Sequence, residues 1–237
     1  MLQASNQATY GVIGGMGPLA SAEFLKTIYE CSLGQREQES PVVLVYSDPT
    51  FPDRTDAFLA GRDDALLEQL TQVLSRLRSW DASKIVICCM TIHYLVPRLP
   101  DELRVRIWSM LDVIAENIEP GDKKHLLICS NGTRQMKLFE SHPRWEVLRQ
   151  QLIMPSDEDQ VRIHRDLIYP IKINPDLSTA FPLLEMMLKK YNVHSFVAGC
   201  SEIHMLSKHF LARKDSNGYT CIDPLKIIAQ RMAENLR

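Results

Sequence analysis

Short runs of β-branched and other apolar residues alternate along the chain with longer segments whose apolar positions recur every three or four residues. The runs are YGVIG at 10–14, VVLVYS at 42–47, KIVICC at 84–89, HLLICS at 125–130 and SFVAGC at 195–200. Their near-continuous hydrophobicity predicts strands buried on both faces, as in parallel sheets. Between the second and third, Leu66, Leu67, Leu70, Val73, Leu74 and Leu77 lie at helical spacing with charges opposite, and Leu103, Ile107, Leu111 and Ile114 repeat the pattern across 101–118. Strand and helix in alternation predict an α/β fold with right-handed crossovers, which gathers ligand-binding groups at the carboxyl ends of the strands.

The helical pattern breaks in the charged segment NIEPGDKKH at 117–125, at Pro120 and Gly121. We therefore expect two α/β domains with short parallel sheets, residues 1–118 and 119–221. A sequence echo joins them: Cys89-Met-Thr-Ile92-His93-Tyr-Leu95 and Cys200-Ser-Glu-Ile203-His204-Met-Leu206 share the pattern C-x-x-I-H-x-L, each directly after an apolar strand. The echo predicts duplicated halves that each present a cysteine at a strand end, facing one cleft between the domains.

Composition narrows the function classes. The 237 residues, 45% hydrophobic and 24% charged, supply a sizeable core. A net charge of -2, from 27 basic and 29 acidic residues mixed along the chain, makes nucleic acid and anionic membranes poor partners. No stretch approaches the ~18 apolar residues of a spanning helix, and MLQASNQATY lacks the pattern of a secretory leader. We expect a cytoplasmic protein whose six scattered cysteines (Cys31, Cys88, Cys89, Cys129, Cys200 and Cys221) stay reduced.

Each thiol is then either core filler or chemistry. A cysteine between a strand end and a helix start sits near free backbone N–H groups and the positive end of the helix dipole, which favour the thiolate. Two such thiols on opposite sides of a cleft can remove a proton from one face of a carbon and return one to the other, inverting a stereocentre without metal or redox partner. The repeated context assigns this role to Cys89 and Cys200 and leaves the other four as packing residues. A metal reading, from the Cys89/His93 and Cys200/His204 pairs at i, i+4, is weaker because the pairs lie in different halves.

Five segments in order, GVIGGMGPLASAEF, VYSDPTFPDRTDAFL, CMTIH, GCSEI and CIDPLKIIAQRMA, resemble the PLP-independent aspartate/glutamate racemase family along almost the whole chain. The resemblance implies a homodimer that needs no cofactor, acts on an acidic amino acid (aspartate first), and uses Cys89 and Cys200 as proton donor and acceptor. It also implies that a last helix, 222–237, returns to the first domain. Arg54, in the Pro52-Asp53-Arg54 segment, looks like the guanidinium that receives the side-chain carboxylate, for which a planar fork is suited; the alternative is an exposed loop arginine. Lys172 falls where the family has a second cation, Met16 where its first loop lines the cleft, and Thr91, Ser201 and Glu202 in its substrate-binding segments. Met90 departs from the family, which has an asparagine there to hold the substrate's amino and carboxyl groups; methionine donates no hydrogen bond.

Other readings stay open at this level. The cleft could serve glutamate, or a decarboxylase or isomerase of a small diacid, or a protein that binds an acidic amino acid without turnover. Gly15-x-Gly17-x-x-Ala20 fits a dinucleotide fingerprint, a weak signal alone; glycines that let backbone approach a small ligand explain it as well. His93 and His204 could tune a thiol, contact a carboxylate, or only pack. Glu202 could meet a substrate ammonium or cap its own helix, and Thr133 is read as a helix cap.

Overall fold

The computed structural model describes residues 8–214, 216 and 218–235. The first seven residues, read above for a leader, and residues 236 and 237 of the expected last helix lie outside them. The strands are β1 (Thr9–Gly14), β2 (Val42–Ser47), β3 (Lys84–Ile87), β4 (His125–Cys129), β5 (Leu152–Ile153), β6 (Ser195–Gly199) and β7 (Thr220–Ile222). The helices are α1 (Pro18–Cys31), α2 (Arg54–Leu59), α3 (Asp63–Ser79), α4 (Asp101–Arg104), α5 (Met110–Asn117), α6 (Asn131–Gln135), α7 (Trp145–Gln151), α8 (Asp157–Arg162), α9 (Tyr169–Ile173), α10 (Ala180–Lys190), α11 (Ser201–Leu211) and α12 (Pro224–Glu234). Two parallel sheets result, ordered β2-β1-β3 and β5-β4-β6-β7. This is the expected α/β architecture of short parallel sheets flanked by helices.

Alternate residues of β1, β3, β4 and β6 enter different cores, which explains their unbroken apolar runs, whereas β2 is an edge strand and is not buried on both faces as expected: its Val42 and Val45 are exposed. Tyr10, Val12 and Val86 of the first sheet share one core with Leu127, Cys129 and Val197 of the second, and with Phe24, Met110, Leu225, Ile228 and Met232 from α1, α5 and α12. The other strand faces, carrying Ile13, Ile85 and Ile87 or Leu126, Ile128, Phe196 and Ala198, face separate outer cores. α12 packs on α1 and α5, both from the first half of the chain.

The helix predicted across 101–118 is two helices. Between α4 and α5, Val105 and Trp108 flank Ile107, which forms a parallel bridge to Ile85: Ile85 N donates to Arg106 O and Trp108 N to Ile85 O, each at 2.8 Å. β-branched and aromatic side chains suit this extended stretch. Ser109 then restarts the helix, accepting from Asp112 N at 3.1 Å, a cap of about 1 kcal/mol. Ile107 thus stands beside β3 as β7 stands beside β6, and the helices that follow, α5 and α12, pack together. The duplication hinted at by the cysteine echo extends through both sheets.

His125 Nδ1 lies 2.7 Å from Ser195 Oγ, joining β4 to β6. Burial and then Lys123 lower its pKa from 6.5 to about 4. The unfolded chain therefore binds the extra proton first, and folded-state stability present above about pH 6.5 is lost as pH falls toward 4. Chemical denaturation of wild type and His125→Gln across this range should show the variant losing less stability on acidification; parallel profiles would contradict the assignment.

Candidate active site

The carboxyl ends of five strands from both sheets meet at a narrow cleft whose empty space, mouth included, is about 290 Å³. Met16 follows β1, Asp53 to Thr55 follow β2, Cys89 and Thr91 follow β3, Ser130 follows β4, and Cys200 to Glu202 follow β6. His164 and Lys172 reach it from the segment between β5 and α10. Both echoed cysteines line this cleft and are almost fully buried. Of the other thiols, Cys88 and Cys129 sit in the shared core, where burial pushes Cys129 up to about 12 and Cys88 higher still.

Arg54 is buried, not an exposed loop arginine. As the first residue of α2 it follows Asp53, whose Oδ1 caps the helix by accepting from Asp56 N at 3.1 Å. Its guanidinium donates to the carbonyls of Pro52 (2.9 Å), Met16 (3.2 Å) and Phe51 (3.3 Å). Burial opposes its charge, but Cys89 and then Asp53 beside it more than offset that and push its pKa up. Arg54 is thus a fixed cation next to Cys89, the charge complement of a thiolate there.

The second thiol has the opposite surroundings. Cys200 Sγ donates to Glu202 Oε2 at 2.8 Å, and Ser201 Oγ donates to the same oxygen at 3.3 Å. Burial first, then the Glu202 charge, raise the Cys200 pKa well above the ordinary thiol value. Glu202 is 1% exposed and its Oε1 has no partner among the described residues; a buried unsatisfied acceptor costs roughly 1–3 kcal/mol, more when charged. It does not cap its helix. Lys172 completes this side: burial opposes its charge, yet Glu202 and then Cys200 raise its pKa.

The glycine loop admits protein atoms. Gly15 has φ +89°, and a Cβ there would lie 2.3 Å from the Asp48 carbonyl carbon. A Cβ at Gly17 would lie 2.4 Å from Glu202 Oε1. Close packing against Asp48 and Glu202 thus accounts for these glycines without a dinucleotide.

The two histidines are tethers. His93 Nδ1 donates to the Cys89 carbonyl at 2.8 Å and Nε2 accepts from Met110 N at 3.3 Å, fixing a neutral tautomer that burial favours by lowering its pKa. His204 pairs with Asp223, the cap of α12, at 2.8 Å and with Thr27 at 3.0 Å. His93 ties the turn after Cys89 to the start of α5, and His204 ties α11 to the start of α12. Neither is turned toward its cysteine as a metal ligand, and no group of three or more His, Cys, Asp or Glu among the described residues is placed to hold a metal ion.

Met16, Arg54, Thr91, Lys172, Ser201 and Glu202 all line the cleft with the cysteines, whereas Met90 packs in the shared core. Thr133 is not the cap of α6; Ser130 is, accepting from Thr133 N at 3.2 Å, and the two hydroxyls join Thr91 Oγ1 at 2.9 and 3.0 Å. Asp53, Thr55, Ser130 and His164 escaped the sequence reading. The S-x-x-T spacing before α6 was the one available signal, for Ser130.

The family model for Asp/Glu/Hydantoin racemase matches residues 13–232. The chain belongs to this family. Among solved structures it is similar to the Picrophilus torridus aspartate racemase, at 20% identity and a TM-score of 0.78 over 97% of this chain and 94% of that one. It is also similar to a putative Asp/Glu racemase from Yersinia pestis (20% identity, TM-score 0.67, 97% and 99% covered) and to the glutamate racemase of Campylobacter jejuni (15%, 0.59, 96% and 85%). These likenesses carry the fold. No helix among the described residues of this racemase-family chain is long and apolar enough to cross a membrane.

The Glu202 contact has a measurable consequence at Cys200. Burial alone would still hold the thiol high, but in Glu202→Gln the charge that adds to it is gone, so the pH midpoint for alkylation of Cys200, followed by mass spectrometry, should fall. Gly17→Ala, which displaces the same carboxylate, should move it the same way. An unchanged midpoint in both folded variants would contradict the geometry.

Proposed function

We propose that this racemase-family protein interconverts the enantiomers of an acidic amino acid, aspartate first, without a cofactor. The observation that carries the reading is the unequal setting of the two cleft thiols: Cys89 beside the Arg54 cation, Cys200 donating to the Glu202 carboxylate. One is prepared to accept a proton and the other to give one. Cys89 as thiolate takes the α-hydrogen from one face while Cys200 as thiol delivers its proton to the opposite face. The product leaves with Cys89 protonated and Cys200 as thiolate, the state that runs the reverse reaction.

The charges in the cleft suit a dicarboxylate with one ammonium. Arg54 and Lys172 offer two cations for two carboxylates, and the unpaired Glu202 Oε1 is an acceptor for the ammonium. A cation beside the α-carboxylate also stabilises the negative charge that spreads onto it when the α-hydrogen leaves, the main electrostatic help a site without an electron sink can give. Aspartate is placed first because Arg54, which lines the cleft, stands where aspartate-type members of the family receive the side-chain carboxylate. Met90, packed in the core, adds no polar contact to substrate recognition, which falls to Arg54, Lys172 and Glu202 with the Thr91, Ser130 and Ser201 hydroxyls beside them.

Chiral chromatography of L-aspartate, D-aspartate and L-glutamate incubated with the protein, reductant and no cofactor tests this. Inversion of aspartate in both directions is expected, faster than glutamate, with Cys89→Ala and Cys200→Ala each lowering the rate by roughly a thousandfold or more. Folded protein that inverts neither amino acid would overturn the proposal.

A further inference from the structure

The helix that begins at Asp157 runs through Arg162, passes into a π-helical turn at Ile163–Ile168, and resumes α-helical geometry at Tyr169–Ile173. Pro170, in the first turn after the π segment, has no N–H to continue a regular ladder. A π turn brings residues five apart over one another, a pair that a regular α-helix would place about 140° apart around its axis. His164 and Tyr169 are such a pair: their rings meet edge to face with centroids 4.7 Å apart. Lys172, one α-turn further, has its Nζ 4.8 Å from the centre of the Tyr169 ring. The wide turn therefore assembles His164, Tyr169 and Lys172 into one face, and His164 and Lys172 both line the cleft.

The hydrogen bonding of His164 specifies its tautomer. Asn131 N donates to His164 Nδ1 at 3.2 Å. Burial first, and then the Lys172 charge, lower the histidine pKa, so the ring is neutral and its single proton is on Nε2. That Nε2–H donates to no group among the described residues. Tyr169 Oη meanwhile donates to Asp53 Oδ2 at 3.2 Å, tying this face to the segment that carries Arg54. A neutral donor on the cleft wall, next to a lysine and backed by a backbone amide, is matched to an anionic oxygen.

We propose that His164 is a further substrate-binding residue, whose Nε2–H donates to a carboxylate oxygen of the substrate alongside Lys172. The inference rests on the racemase reading above and assigns a specificity contact within that site. The histidine adds direction to a lysine that by itself is a flexible point charge, and it does so without a third positive charge in a cleft that already holds Arg54. It makes no proton transfer, so its loss acts on substrate affinity more than on the chemical step.

His164→Phe keeps a planar ring and removes the donor, while His164→Gln retains an N–H donor near the position of Nε2. Steady-state racemisation of aspartate should show KM raised at least about tenfold in the Phe variant with kcat changed less than about threefold, and most of the loss recovered in the Gln variant. The inhibition constant of succinate, a dicarboxylate without an α-amino group, should follow KM in both. Melting temperatures of the two variants check that the helix is intact. Wild-type KM and succinate affinity in a folded Phe variant would overturn the His164 assignment while leaving the racemase reading standing. A wild-type protein that inverts no acidic amino acid would overturn both.

Discussion

A carboxylate that is 1% exposed with one oxygen unpaired is a costly object in a protein interior, and Glu202 is such a group. Much of the cleft is fitted around it. Gly17 has no Cβ because the carboxylate occupies that space, Cys200 and Ser201 donate to its other oxygen, and Lys172 keeps its charge partly because Glu202 is near. The same carboxylate holds the Cys200 thiol protonated. Its remaining oxygen stays unpartnered among the described residues; in the proposed reaction Cys200 is the thiol that gives its proton and that oxygen accepts from the substrate ammonium.

The scaffold is duplicated but its chemistry is not. Each half has a central strand flanked by two parallel neighbours, a further partner at one edge, a cysteine after the third strand, and a histidine that ties the segment after that cysteine to the start of a later helix. Around this frame the charges differ: a guanidinium beside Cys89, a carboxylate beside Cys200. Symmetry of the backbone places two thiols in one cleft, and asymmetry of the neighbours gives them different charged surroundings. The reaction proposed above, on opposite faces of one carbon, draws on both.

β1, β3, β4 and β6 were readable because their two faces enter two different cores, which makes the sequence apolar without alternation; β2 is as apolar but lies at a sheet edge, half exposed. β5 and β7 were not, since two- and three-residue strands carry no periodicity. Ile107 satisfied the helical spacing of its segment, and only the sheet edge beside Ile85 drew it out of the helix. The cysteine echo located the cleft, and most residues named from sequence line it, because positions just after parallel strands converge by topology. His164 was invisible because its place depends on a π turn, in which residues five apart share a face that helical periodicity separates. Met90, chosen because the family has a substrate-holding asparagine at that position, is an apolar side chain and packs in the shared core with Val86 and Cys88.

The most direct test of two thiols acting on opposite faces is the isotopic pattern of early turnover in D2O. Starting from L-aspartate, the account predicts that the first D-aspartate formed carries solvent deuterium at the α-carbon while the remaining L-aspartate carries none, because the cysteine that removes the hydrogen is not the one that supplies its replacement. The same should hold in the other direction. Deuterium appearing in the unreacted enantiomer as fast as in the product, measured by NMR and mass spectrometry after chiral separation, would point to a single exchanging base and contradict it.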